Sequence, residues 1–400
     1  MMTVEQALES ILAQKLPRKT ETVALRHSLG RILADPVKAD RDAPPFDRVS
    51  MDGIALQAQA LELYSHFKIE RTQAAGATQS ILEDPTGCIE VMTGAILPAN
   101  TDCVIPYEQI EIKEGFAYPL SRTHPFGQNI HRQGKDALQG DSLLPLGEPI
   151  VPTVAAVLAS AGMEEIKVLK LPRMAICSTG DELVDIGEKP LPHQIRRSNT
   201  TMMEAALLEF GIRPDGYHLP DDQELMAKHL FTMVKDYDIL LFSGAVSKGK
   251  YDFLPAVLEG LGMKKVVHGV AQRPGKPFLF GTFPDALIFG FPGNPVSTFV
   301  CFHLYFKPWL KRHLGLPNGK VSAVLGSEIV FEKPLTYHLL VSLDIKEGRL
   351  IANPVANSGS GDLVHLAQAD ALLSLPPEKE RFAAGEVYPL SMIRKDLFYW

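Results

Sequence analysis

Between Arg173 and Gly315 the chain repeats one rhythm, a short apolar run followed by a glycine-bearing polar loop and then an amphipathic segment. Met174-Ala175-Ile176-Cys177, Asp238-Ile239-Leu240-Leu241-Phe242 and Ala286-Leu287-Ile288-Phe289 are the runs expected of strands buried on both faces. Thr200 to Phe210 reads as a helix with Gly211 at its C′ position. Asp221 with Glu224 is expected to cap a further helix whose apolar positions include Leu225, Met226, Leu230, Met233 and Val234. Strands alternating with helices predict a mostly parallel α/β sheet covered on both faces. Such a sheet binds ligands at the carboxyl ends of its strands.

The flanking segments follow other patterns. Thr3 and Gln6 form a capping box ahead of a stripe made by Val4, Leu8, Ile11 and Leu12, so residues 1–40 read as helix and connection. From about 45 to 136, short apolar stretches such as Gly53-Ile54-Ala55-Leu56, Cys88-Ile89-Glu90-Val91-Met92 and Cys103-Val104-Ile105 alternate with turn signals, predicting a small β-rich lobe. Pro152 to Gly162 returns to helix. After Leu316 the runs Ile329-Val330-Phe331, His338-Leu339-Leu340-Val341, Leu350-Ile351-Ala352 and Ala371-Leu372-Leu373-Ser374-Leu375 predict a separate β-barrel or sandwich.

Composition removes several function classes. Four hundred residues, 46% hydrophobic, exceed what one core usually organises and imply two to four domains. A formal net charge of −7 offers no general attraction to nucleic acid or to anionic membrane, so an anionic ligand needs a local site. Cys88, Cys103, Cys177 and Cys301 form no C-x-x-C pair and sit among apolar neighbours, which reads as buried free thiols in a reducing compartment. The N-terminus carries acids and amides where a signal peptide needs a basic stretch. The longest greasy segment, Val296 to Leu310, is interrupted by His303, Lys307 and Pro308. A cytoplasmic, soluble protein is expected.

Three of the predicted strands run into loops that should share one rim: Ser178-Thr179-Gly180-Asp181-Glu182, Ser243-Gly244-Ala245-Val246-Ser247-Lys248-Gly249 and Phe291-Pro292-Gly293-Asn294-Pro295-Val296-Ser297. Arg273-Pro274-Gly275-Lys276-Pro277 adds a cationic turn stiffened by prolines. This predicts a site with two chemical halves. Asp181, Glu182, Asp222 and Asp252 suit Mg2+ through oxygen ligands, while Ser247, Arg273, Lys276 and Ser297 suit an oxyanion or phosphate. Taken singly, Asp222 is equally a helix-start residue and Lys276 equally a solvated turn; the coincidence of four segments carries the reading. Gly244 to Lys250 fits G-x-x-x-x-G-K, but Tyr251 stands where a P-loop needs Ser or Thr. Gly359-Ser360-Gly361 lacks the third glycine of a dinucleotide fingerprint. Phe302, Tyr305, Phe306 and Trp309 fall at helical spacing and read as core.

With these loops in view the chain resembles the MoeA family, the molybdopterin molybdenumtransferases of molybdenum-cofactor synthesis, which are related to the E domain of gephyrin and its plant counterpart. The resemblance rests on Met51-Asp52-Gly53, Met92-Thr93-Gly94-Ala95, Gly127-Gln128-Asn129-Ile130, Ser178 to Leu183, Ser198-Asn199, Pro274-Gly275-Lys276-Pro277 and Pro292 to Ser297, in family order. It implies an elongated homodimer of four-domain chains. A discontinuous helical domain would occupy 1–40 and 137–170, a β-rich lobe 41–136, a MogA-like α/β catalytic domain 171–316 and a C-terminal β-barrel 317–400. The implied reaction is Mg2+-dependent cleavage of adenylylated molybdopterin with insertion of molybdate and release of AMP. By motif match, Asp181, Glu182, Asp222 and Asp252 fall to metal and nucleotide. Ser247, Arg273, Lys276 and Ser297 fall to molybdate, beside the Pro292-Gly293-Asn294 loop. Asp52, Thr93 and Asp136 would reach across from the partner subunit. A MogA-type adenylyltransferase is a partner that the resemblance allows, and which partner delivers the pterin is left open.

Some positions depart from the family pattern. Ala245 stands where a second glycine is common, Lys135 and Lys250 where acids are common, Ile54 where an aromatic residue is usual, and Arg273 where a lysine is usual. The two lysines would raise positive charge near the metal half. The alternatives left open are the adenylyltransferase step itself and a catalytically weakened paralogue that binds molybdopterin as a scaffold.

Overall fold

The computed structural model describes residues 1–244, 246 and 252–394. They divide into two units, one of Met1–Glu21, Gly30–Ile32 and Val168–Trp400, the other of Thr22–Leu29 and Leu33–Lys167. In the smaller unit the apolar runs of the lobe form one six-stranded sheet. Its strands are Gly53–Leu56 (β1), Phe67–Gln73 (β2), Gly87–Val91 (β3), Cys103–Pro106 (β4), Ile110–Lys113 (β5) and Phe116–Pro119 (β6), in the order β4-β1-β3-β2-β6-β5. Only β2 and β3 run parallel. Alternate residues bury on opposite faces, Ile54, Leu56 and Cys88 on one and Ala55, Ile89 and Val104 on the other. The Pro152–Ser160 helix opens with proline in its first turn, as its sequence requires.

In the larger unit, Val4–Leu12 (α1) carries the expected capping box between Thr3 and Gln6. It buries Ala7 and Ile11 in the core that covers the α/β sheet, and its contacts group it with residues 168–400. The sheet is built from Met174–Thr179 (β7), Asp215–Leu219 (β8), Ile239–Ser243 (β9), Lys264–His268 (β10), Leu279–Thr282 (β12) and Leu287–Phe291 (β13), in the order β8-β7-β9-β13-β12-β10. A two-residue strand, Gln272–Arg273 (β11), leaves this sheet. The first four strands are parallel and β12 alone is reversed, pairing antiparallel with both β13 and β10, which agrees with a mostly parallel sheet.

Both faces of that sheet are covered, and the pleat decides which residue goes where. Met174 and Ile176 face the core shared with α1, Ser198–Leu208 (α2) and the long helix built from Pro295–Cys301 (α5), a π turn at Phe302–Phe306 and Lys307–Leu314 (α6). Ala175 and Cys177 face Gln223–Asp236 (α3) and Leu254–Gly260 (α4). Phe302, Tyr305, Phe306 and Trp309 are all buried, as the core reading expects. Asp222, and not Asp221, is the cap of α3: its Oδ1 accepts from the N–H groups of Glu224 at 3.0 Å and Leu225 at 2.9 Å.

Between residues 321 and 392, five strands close on themselves. Val321–Leu325 (β14), Thr336–Lys346 (β15), Arg349–Pro354 (β16), Ala371–Leu375 (β17) and Val387–Met392 (β18) pair in the cycle β15-β16-β14-β18-β17-β15, which makes a barrel and not a sandwich. Residues Leu339, Val341, Leu373 and Leu375 fill it, while Leu340 and Leu372 on the outer face join the α/β core. β11 pairs with β15, so the cationic turn is anchored to the barrel wall. All four cysteines are free and buried. Among the described residues no helix is long and apolar enough to cross a membrane.

Candidate active site

Strand register brings the three glycine loops together. Ser178 on β7 lies opposite Ser243 on β9, and Ser243 opposite Phe291 on β13, so the chain leaves all three parallel strands at one level. Between the loops is a cavity of about 610 Å3 whose wall includes Gly180, Glu182, Asn199, Asp221, Gly244, Asp252 and the run from Pro292 to Pro295. Asn199, in the first turn of α2, ties two of the loops: its Nδ2 donates to Ser243 Oγ at 2.8 Å and to the Gly293 carbonyl at 2.7 Å. Its Oδ1 is buried with no partner among the described residues. Gly244 has φ +100°, and a Cβ there would lie 2.8 Å from Thr179 Oγ1 and 3.2 Å from Thr179 O. Only glycine fits where these two loops pass.

The acids gather on one side. Glu182 folds over Gly180, whose added Cβ would lie 2.5 Å from the Glu182 carboxylate. Asp221 is half-buried, and its carboxyl pKa is raised by that burial and by the charges of Asp181 and Glu182, against a hydrogen bond from the Asp181 N–H that lowers it. Asp252 completes this wall. Asp222, expected here, spends its carboxylate on the helix cap, and Asp221, expected as the cap, faces the cavity. Among the described residues, no group of three or more His, Cys, Asp or Glu side chains is arranged to enclose a metal.

The cationic side is the turn after β11. Pro277 lines the cavity, whereas Arg273 and Lys276 stand exposed beyond the wall. Ser297 is buried in the first turn of α5, where Asn294 is the cap and Pro295 the first residue. Ala245, Ser247, Lys248, Gly249 and Lys250, which make up most of the G-x-x-x-x-G-K segment, lie outside the described residues. The barrel supplies a further wall. Asn294 Nδ2 donates to Ser360 Oγ at 2.8 Å, Val296 N–H donates to Ser360 O at 3.0 Å, and Gly361 borders the cavity.

The smaller unit holds the remaining expected residues. The Thr93 N–H donates to Asp52 Oδ1 at 2.6 Å, and backbone and side-chain hydrogen bonds from Thr93 hold the Asp52 carboxyl below the usual range. Arg48 Nη2 lies 3.1 Å from His131 Nδ1, and His131 Nε2 lies 2.9 Å from Asp136 Oδ1. Because arginine can only donate, Nδ1 is the acceptor and Nε2–H points at Asp136, which fixes the orientation of that carboxylate.

Comparison with known proteins finds matches along nearly the whole chain. A profile for the MoeA N-terminal region (domain I and II) matches residues 2–162, one for a probable molybdopterin binding domain matches 175–312, and one for the MoeA C-terminal region (domain IV) matches 322–390. A molybdopterin molybdenumtransferase of Synechocystis sp. is 40% identical over 395 residues, covering 97% of this chain and 99% of the relative. The chain belongs to the MoeA family. A Bacillus subtilis molybdopterin molybdenumtransferase is 32% identical over 408 residues, covering 98% of this chain and 94% of its own. The MoeA protein of Pyrococcus horikosii superposes with a TM-score of 0.83 at 29% identity, each chain fully covered. Like its MoeA relatives the chain is an enzyme, a transferase. Three residues in or beside the cavity wall were not assigned to it from the sequence. Asp221 was masked by its neighbour, Asn199 was visible only as part of a motif, and Ser360 lies in a Gly-Ser-Gly segment that signals nothing until the barrel docks.

Proposed function

We propose that this MoeA-family chain inserts molybdate into adenylylated molybdopterin and releases AMP during molybdenum-cofactor synthesis. The observation that carries the proposal is a cavity with an acidic wall, adjoined through Pro277 by the Arg273–Lys276 turn, in a chain so similar over its full length to named molybdopterin molybdenumtransferases. Asp181, Glu182, Asp221 and Asp252 would hold Mg2+ together with the substrate's phosphates, and the ion would offset charge on the phosphoanhydride as it breaks. Arg273, Lys276, Ser297 and Ser247 would fix molybdate, a tetrahedral oxyanion, with charge-assisted hydrogen bonds. The Pro292-Gly293-Asn294 loop, tied by Asn199 through the Gly293 carbonyl, would orient the organic part, so that molybdate and the pterin sulfurs meet in a reactive geometry. In a homodimer, Asp52, Thr93 and Asp136 would come from the partner subunit.

The test is to incubate the purified chain with adenylylated molybdopterin, magnesium and molybdate and to follow AMP by chromatography, beside a control lacking molybdate and an Asp252→Ala variant. Molybdate-dependent AMP release that the variant loses by roughly a hundredfold or more is the expected outcome. Pyrophosphate formed from ATP and molybdopterin would point instead to the adenylyltransferase step. Bound pterin without turnover would point to a scaffold.

A further inference from the structure

The cationic turn is held from behind by a buried polar network that no part of the proposed chemistry uses. Gln272, which precedes Arg273, is 0% exposed. Its Nε2 donates to the Pro274 carbonyl at 3.0 Å and to the Gly275 carbonyl at 3.4 Å, and its Oε1 accepts from Tyr305 OH. Cys301 Sγ packs 3.5 Å from both the Gly275 carbonyl and Gln272 Nε2. The Val270 N–H takes the next carbonyl, that of Lys276, at 2.9 Å. The carbonyls of Pro274, Gly275 and Lys276 are thus drawn toward the interior. Carbonyl oxygens repel an oxyanion, so a turn that keeps them bonded inward presents its cations and not its acceptors.

The far side of this network is rigid. Tyr305 is fully buried in the π turn, and its ring stacks on Phe278, immediately after the turn, with centroids 4.6 Å apart. Cys301 and Tyr305 lie four residues apart on the continuous helix that begins at Pro295, so the helix that carries Ser297 at its start also carries both groups that grip Gln272. Gly275 has φ +91°, and a Cβ there would fall 2.4 Å from Cys301 Sγ and 2.8 Å from Gln272 Nε2. The turn sits against this helix with no slack.

We propose that Gln272, clamped by Tyr305 and Cys301, is a positioning residue that sets the Arg273–Lys276 turn at a fixed distance from the start of α5 and thereby determines affinity and selectivity for the oxyanion. The role follows from the amide's two-sided chemistry. It needs an acceptor toward Tyr305 and donors toward two carbonyls, which glutamate and methionine each fail to provide. This inference rests on the reading of the turn as the molybdate site, and the variants separate the two.

Three variants of the full chain are compared by AMP release against molybdate concentration: Gln272→Met, Tyr305→Phe and Lys276→Ala. Gln272→Met is expected to raise the molybdate KM about tenfold with kcat changed less than about twofold, and Tyr305→Phe to raise it about threefold, in line with the loss of one or two buried hydrogen bonds. Both should narrow the discrimination between molybdate and the smaller sulfate, measured as the ratio of sulfate inhibition constant to molybdate KM. A purely structural role would lower the melting temperature and leave that ratio where it was, and this result would overturn the proposal. If Gln272→Met does not fold, the Tyr305→Phe ratio decides. If Lys276→Ala raises KM while the other two leave it unchanged, the positioning role alone fails. If Lys276→Ala also leaves KM unchanged, the turn is not the oxyanion site and both readings fall.

Discussion

Asp221 and Asp222 are adjacent, chemically identical and differently employed. Asp222 satisfies two N–H groups at the start of α3, so Asp222→Ala should lower stability by about 1 kcal/mol, read from denaturant melts, and leave magnesium stimulation intact. Asp221 has a carboxyl pKa raised by burial and by Asp181 and Glu182. The folded chain therefore holds that proton more tightly than the unfolded chain. Stability attributable to Asp221 falls as pH rises from the ordinary aspartate range through the raised value, and the deficit persists at neutral pH. Two outcomes follow for thermal melts with and without Mg2+. Near neutrality Asp221→Asn should melt higher than the parent in the absence of metal, and Mg2+ should raise the parent's melting temperature more than the variant's. A variant that melts lower and still responds fully to Mg2+ would show that Asp221 is no part of the metal half.

At the scale of elements, the loop crossing between β7 and β9 is the most tightly specified join. Gly244→Ala must bear both the positive φ and a contact with Thr179. A loss of about 2 kcal/mol is expected, and Thr179→Ala should rescue little of it, because the Thr179 carbonyl and the backbone strain remain. Full rescue in a double-mutant cycle would contradict this. The elements that were legible in the sequence are those whose own residues carry the signal. β7, β9, β13 and β17 are continuous apolar runs because they are buried on both faces, and α1 shows its cap. β8 was missed because Asp215, Gly216, Tyr217 and His218 are exposed on a sheet edge, so no apolar run marks them. β11 has only two residues and exists because β15 lies beside it. The three glycine loops could be placed on one rim from strand polarity alone. The Asn199 strut, the choice between Asp221 and Asp222, and the docking of Ser360 on Asn294 depend on distances that no local pattern encodes.

At the scale of the whole molecule, the acid side of the stability curve should be governed by buried imidazoles that are no part of the acidic wall of the site. His338 lies on the outer face of the barrel, 2% exposed, with Nδ1 3.0 Å from Ser374 Oγ and Nε2 buried without a partner among the described residues. His303 lies inside the long helix, its Nδ1 3.0 Å from the Phe299 carbonyl and its ring against Phe299. Burial pushes both imidazoles down to about 3, helped at His303 by the positive charge of Lys307. Each is neutral when folded and takes up a proton on unfolding at any pH between that value and the ordinary histidine range, about 6.5. The unfolded chain then binds more protons, so stability falls as pH drops through this window, by about 3 kcal/mol per pH unit for the pair. His313, also lowered by burial, adds in the same direction. Proton uptake on unfolding, measured near pH 5 to 5.5 as the release or uptake needed to hold pH, should be smaller by about one proton in His338→Gln than in the parent, and by about one in His303→Gln. Equal uptake in parent and variants would mean that these imidazoles are charged or hydrated in the folded chain. The barrel and the α/β sheet would then not form the dry seam that the burial of Leu340, Leu372 and His338 describes.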